Sequence, residues 1–256
     1  MVFYHPDTLG QICALRRYLL ERRTSGRVDK VDGWIRMVAI NRLTGHSSGF
    51  FSVYTLPPNQ AVSIGSQRKI NAARKQVPPY RDVAAVILKK TKTLLADGLP
   101  PEHPPGMLLT GPAYQTPKIG DGKVELVVTS PPFLDIVDYE GDNWLRCWFA
   151  GIDAKSVLID RHKDIRSWEA FVRETFVELA RVVRPGGVVA FEVGEVRGRK
   201  VLLERYVVDA IRGLPFTVLG VMVNQQEFTK TANCWGVSNN THGTSTNRIV
   251  LAERAG

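Results

Sequence analysis

Two periodicities divide this chain. Apolar residues recur at helical spacing through the first hundred positions and fall into short runs of strand length after them. Leu9, Ile12, Leu15, Leu19 and Leu20 predict a helix over 9–24, capped by Asp7 or Thr8. Val31, Ile35, Val38, Ala39 and Leu43 predict a second over 31–43. Residues 44–61 read as a loop rich in Gly, Ser and Pro around the cluster Phe50-Phe51-Ser52-Val53-Tyr54. A basic helix over 64–75 and a helix over 82–96, N-capped by Asp82, complete this part.

After Gly98-Leu99-Pro100-Pro101 the pattern changes. Met107–Thr110 and 124–129 read as strands, 167–183 as a helix stopped by Arg184-Pro185-Gly186-Gly187, and 188–193 as a strand. A helix over 199–213, a strand over 216–223 and a last strand over 248–252 follow. This order predicts an α/β fold whose sheet is mostly parallel with an antiparallel last strand. The expected division is a helical basic region, 1–100, followed by a sheet region, 101–256.

Charge sharpens that division. The chain carries +9 overall, from 34 Lys and Arg against 25 Asp and Glu. Residues 1–100 hold 16 of the cations and 6 of the acids, so the whole excess lies there. Arg16, Arg17, Arg22, Arg23 and Arg27, then Arg68, Lys69, Arg74 and Lys75, then Lys89, Lys90 and Lys92 suit a polyanion such as double-stranded DNA, or a merely solvated surface. The 3 cysteines are far apart, which fits a reduced, cytoplasmic protein and no zinc-type spacing. No apolar stretch is long enough to span a bilayer.

The candidate chemistry is Ser130-Pro131-Pro132-Phe133, directly after the run Val124–Val128. Open α/β sheets bind ligands outside the carboxyl ends of their strands. Two consecutive prolines fix φ and carry no N–H, so nearby carbonyls meet a ligand without a competing donor. Ser130 adds a hydroxyl acceptor, and Phe133 a flat apolar face for stacking a base. An isolated Ser-Pro-Pro is also compatible with a plain turn.

Three segments together resemble the amino-methylating DNA methyltransferases, which form N4-methylcytosine or N6-methyladenine. They are Thr129–Phe133 after a strand, Glu178–Gly187 running into a strand, and Thr246–Leu251 at the last strand. The resemblance covers 107–252 and implies a partial Rossmann-like methyltransferase sheet, S-adenosylmethionine as cofactor and duplex DNA as partner. It also implies a role in DNA methylation of the restriction–modification kind. Serine before the two prolines is the form that family associates with cytosine N4. It implies that Ser130, Pro131, Pro132 and Phe133 form the catalytic tetrad, Ser130 Oγ and the Pro131 carbonyl accepting the protons of an exocyclic amine on a flipped base.

Around the tetrad, Asp135, Tyr139, Asn143, Phe228, Trp235 and Asn239 are candidate substrate contacts, Tyr139 and Asn143 sharing a helical face. A polar loop and core aromatics account for the same residues. Thr110 and Gly111, at the end of the expected first strand, are candidate cofactor contacts. The family's glycine-rich cofactor loop has no counterpart in its usual place before these strands, and Gly194–Gly198 falls in the wrong order. A fragment of a longer enzyme, a split enzyme whose second chain supplies that loop, and a DNA-binding remnant all fit. An RNA base methyltransferase is the alternative substrate class.

Overall fold

The computed structural model describes residues 1–55, 62–99, 106–134, 138–196, 201–225 and 246–256. The chain forms two compact units. The first comprises 1–105 and 138–158, the second 106–137 and 159–256.

The first unit is helical: α1 (Pro6–Thr24), α2 (Lys30–Ile40), α3 (Ile64–Ala73), α4 (Val83–Leu94) and α5 (Tyr139–Ala150). His5, not Asp7 or Thr8, caps α1 by accepting the Asp7 N–H. Pro6 explains the earlier start, because its fixed φ suits the first helical position and its missing N–H costs nothing there. Thr8 is buried instead, and its hydroxyl both donates to the Arg81 carbonyl and accepts the Arg81 N–H. Asp29 and Asp32 form a reciprocal capping box on α2. Asp82 caps α4 as expected.

The core of this unit gathers Phe3, Ile12, Val38, Leu43, Phe51, Ile87, Leu145 and Phe149. Leu145 and Phe149 come from α5, so 138–158 groups with the N-terminal helices although it lies within the expected 101–256 region. Their four-residue spacing puts both on one helix face. Residues 44–55 form turns with one isolated bridge between Gly45 and Tyr54.

The second unit is a sheet with helices. Its strands are β1 (Val124–Thr129), β2 (Val183–Val196), β3 (Val201–Leu202), β4 (Phe216–Gln225) and β5 (Thr246–Arg254), and its helices are α6 (Ile165–Val182) and α7 (Leu203–Ala210). The main sheet has the order β1-β2-β5-β4, with β3 beside β2. β1 and β2 are parallel, and β5 is antiparallel to both β2 and β4. Three strands therefore run one way and the last runs against them, as expected. The carboxyl ends of β1, β2 and β4 and the start of β5 consequently share one edge of the sheet.

Two expectations need correction. Met107–Thr110 is no strand; it is coil, with Leu108 almost wholly exposed. A short apolar run reads as a strand only if a neighbour pairs with it, and none does among the described residues. Helix α7 is also shorter than 199–213, because Val201 and Leu202 pair with β2 first.

Trp168, Phe171, Phe176, Val189, Phe191, Val193, Val207, Val250 and Ala252 make the second core, between α6, α7 and one sheet face. Arg184-Pro185-Gly186-Gly187 does more than stop α6. Gly186 has φ +73, the left-handed region that favours glycine. At Gly187 a Cβ would stand 2.9 Å from the Arg184 carbonyl and 3.0 Å from that of Glu125. The two glycines let the chain bulge and then lie close against β1, where the register shifts between Val124 and Leu126.

Candidate functional site

The tetrad sits where the sequence places it, at the carboxyl end of β1. Pro131 is buried, Pro132 and Phe133 are half-buried, and the next residue, Leu134, is 1% exposed. Phe133 packs against the second core. Trp168, fully buried on α6, donates its indole N–H to the Pro132 carbonyl at 2.9 Å. One proline carbonyl is thus committed to the scaffold, and the turn is fixed at both ends. Ser130 stays exposed, and its hydroxyl makes no hydrogen bond among the described residues. The Ser130 hydroxyl on this turn is open both to accept and to donate a hydrogen bond.

The segment leading into β1 is pinned to α6 by a polar cluster. Glu178 Oε1 accepts from the Thr116 N–H at 2.7 Å and from its hydroxyl at 2.6 Å. Arg181 bridges Glu178, Asp121 and the carbonyls of Thr116 and Ile119. The Arg181 guanidinium, helped by Thr116, holds the Glu178 carboxyl down at about 2, while Glu178 and Asp121 push the Arg181 pKa up. This network fixes the start of β1, and Trp168 fixes the turn beyond its end.

At the same sheet edge, Glu204 in the first turn of α7 receives a hydrogen bond from Arg248 of β5 at 2.6 Å. Glu204 is buried and Arg248 only slightly exposed, so each charge answers the desolvation of the other.

The remaining candidates fall in one unit or the other, or outside the described residues. Tyr139 and Asn143 lie on α5 in the first unit, where the Asn143 side chain donates to the Tyr139 carbonyl. Thr110 and Gly111 belong to the second unit, on exposed coil instead of a strand end. Asp135, Phe228, Trp235 and Asn239 lie outside the described residues. Trp144 and Trp148 pack against the first core, and the Arg16 guanidinium lies over the Trp148 ring at 4.9 Å.

Within the first unit, an open cavity of about 1070 Å³ is lined by those tryptophans, by Arg16 and Lys155, and by acids including Asp138, Asp142 and Asp153. Burial, then the neighbouring Asp138, raises the Asp142 pKa. An acid-lined cavity does not suit a phosphate backbone.

Sequence reasoning missed Trp168. It precedes Phe171 by three positions on the same helix, and that spacing was the available signal. The Glu204–Arg248 pair carried no local signal, since its partners are 44 residues apart.

Among the described residues no glycine-rich turn joins a strand to a helix N-terminus, the geometry that lets backbone approach a ligand such as S-adenosylmethionine. No helix among them is long and apolar enough to cross a membrane.

No family model matches the chain, and no curated protein does. Solved structures overlap it loosely. A Thermus thermophilus protein assigned as a DNA modification methylase aligns at 21% identity over 54% of this chain and 49% of its own, with TM-score 0.34. The cytosine-N4-specific PvuII DNA methyltransferase aligns at 13% identity over 53% and 44%, with TM-score 0.33. A chain from the complex of the Haloferax volcanii Trm112 methyltransferase activator with its assigned methyltransferase aligns at 11% over 94% and 98%, with TM-score 0.34. The chain spans about half the length of the first two, and overlap this loose assigns no family.

Proposed function

We propose that this chain carries the amine-binding part of an S-adenosylmethionine-dependent DNA methyltransferase, acting on the exocyclic N4 of a flipped cytosine. The observation that carries this reading is the tetrad itself: Ser130 exposed and unengaged at a strand's carboxyl end, on a turn held by Trp168.

The chemistry follows from what an exocyclic amine lacks. Its lone pair is delocalised into the ring, so it is a poor nucleophile until its protons are drawn toward acceptors. Ser130 Oγ and the Pro131 carbonyl supply two acceptors, and Phe133 supplies a stacking face for the extruded base. Positioning of this kind accounts for much of the rate in group transfer. The excess of cations in residues 1–100 supports DNA as the polyanion.

S-adenosylmethionine supplies the methyl group when bound. A second reading, a split enzyme completed by another chain, is favoured by one observation. Among the described residues β1 pairs on one side only, and Leu126 and Val128 on it are 60% and 77% exposed. Sheets of parallel strands ordinarily have both faces covered.

Transfer of labelled methyl groups to duplex DNA tests the proposal. Ser130→Ala is expected to lower turnover about a hundredfold, the usual loss for one preorganised hydrogen-bonding group at a reacting centre. Full activity of that variant would end the assignment. Activity appearing only when a chain bearing a glycine-rich loop is added favours the split enzyme.

A further inference from the structure

Helix α3 is held in an unusual way. Of its residues only Gln67 is buried, and no apolar side chain is. Amides anchor it instead. Gln67 donates to the Tyr54 carbonyl at 2.9 Å and to Asn71 Oδ1 at 2.8 Å, and Gln76 makes the same two bonds at the same distances. Asn71 in turn donates to the Val2 carbonyl at 2.8 Å. A helix with so little apolar burial gains little from packing, so hydrogen bonds fix its position.

Its outer surface explains what that arrangement leaves free. Arg68 and Lys69 are exposed and form no ion pair among the described residues. Ser66, Ala72 and Ala73 are exposed beside them, too small to keep a partner at a distance. Past the helix end, the Arg74 guanidinium lies 3.7 Å from the centre of the Tyr54 ring. Lys75 takes φ +48, a left-handed conformation uncommon outside glycine, and is exposed. Cations without partners, on an amide-anchored helix with a low outer profile, match the charge and shape of a phosphate backbone.

We propose that α3 is the principal nucleic-acid contact of the first unit, with Arg68 and Lys69 neutralising phosphates of duplex DNA and Ala72 and Ala73, one turn on, letting the backbone approach the helix. The proposal takes the identity of the polyanion from the methyltransferase reading, but binding is measured without any methyl transfer.

The test is fluorescence anisotropy of a labelled DNA duplex titrated with the full chain at several salt concentrations. Each lost phosphate contact makes the slope of log affinity against log salt shallower by about 0.9, so Arg68→Ala/Lys69→Ala is expected to reduce it by about 1.8. Arg205→Ala/Arg212→Ala, exposed cations of the second unit, leave the slope unchanged. Circular dichroism confirms that each variant is folded. An unchanged slope for the α3 variant, or an equal change for the control, overturns the proposal. Tighter binding of transfer RNA than of duplex DNA also overturns it. Binding that behaves as expected, with no methyl transfer even when a loop-bearing second chain is supplied, leaves α3 in place and removes the methyltransferase reading.

Discussion

Trp168 is the residue on which the tetrad's geometry depends. Its indole N–H is the donor that fixes the Pro132 carbonyl, and its ring is fully buried in the second core. Trp168→Phe keeps most of the ring and removes the donor. The expected cost is about 1 kcal/mol, the usual net worth of such a bond, read as a lower midpoint in thermal unfolding. Glu178 gives a second prediction at this scale. Its carboxyl is lowered from 4.5 to about 2 in the folded chain, chiefly by the Arg181 guanidinium. A depressed carboxylate stabilises the fold above its unfolded pKa, and that contribution is lost as pH falls through the folded one. Stability is therefore expected to decline between about pH 4.5 and 2, and to decline less steeply in Arg181→Ala, as followed by urea unfolding across that range.

At the scale of elements, β1 and the bulge on β2 decide where the tetrad points. Gly187→Ala forces a Cβ to within 3.0 Å of the Glu125 carbonyl, which belongs to the β1 backbone and cannot rotate away. The expected destabilisation is about 1–3 kcal/mol, seen as a lower urea midpoint with an unchanged slope. The elements also show what was legible in the sequence. Strongly periodic segments were readable: α1, α2, α4 and α6 appear within a few residues of their expected ranges, and so do β1, β4 and β5. Met107–Thr110 was misread because pairing, which makes a strand, is a tertiary fact. The grouping of α5 with the first unit was unreadable for a related reason. Leu145 and Phe149 announce a buried face but not which core will bury it. In the candidate site, the tetrad was legible because its residues are contiguous. The donor that holds it was not, because Trp168 lies 36 residues away along the chain.

At the scale of the whole molecule, the chain holds two cores, one in each unit, and two kinds of candidate surface. The first unit offers cations on an amide-anchored helix. The second offers an acceptor at the edge where parallel strands end. A methyltransferase acting on DNA needs both functions, a grip on the phosphate backbone and a rigid receptor for one amine. The amine side carries the reading and is where it is tested. The most direct measurement is mass spectrometry of nucleosides from duplex DNA incubated with the chain and S-adenosylmethionine, beside the same reaction with Ser130→Ala. The account predicts N4-methylcytosine from the unaltered chain and about a hundredfold less from the variant. N6-methyladenine, no methylated nucleoside even with a loop-bearing second chain supplied, or equal product from both proteins would contradict it.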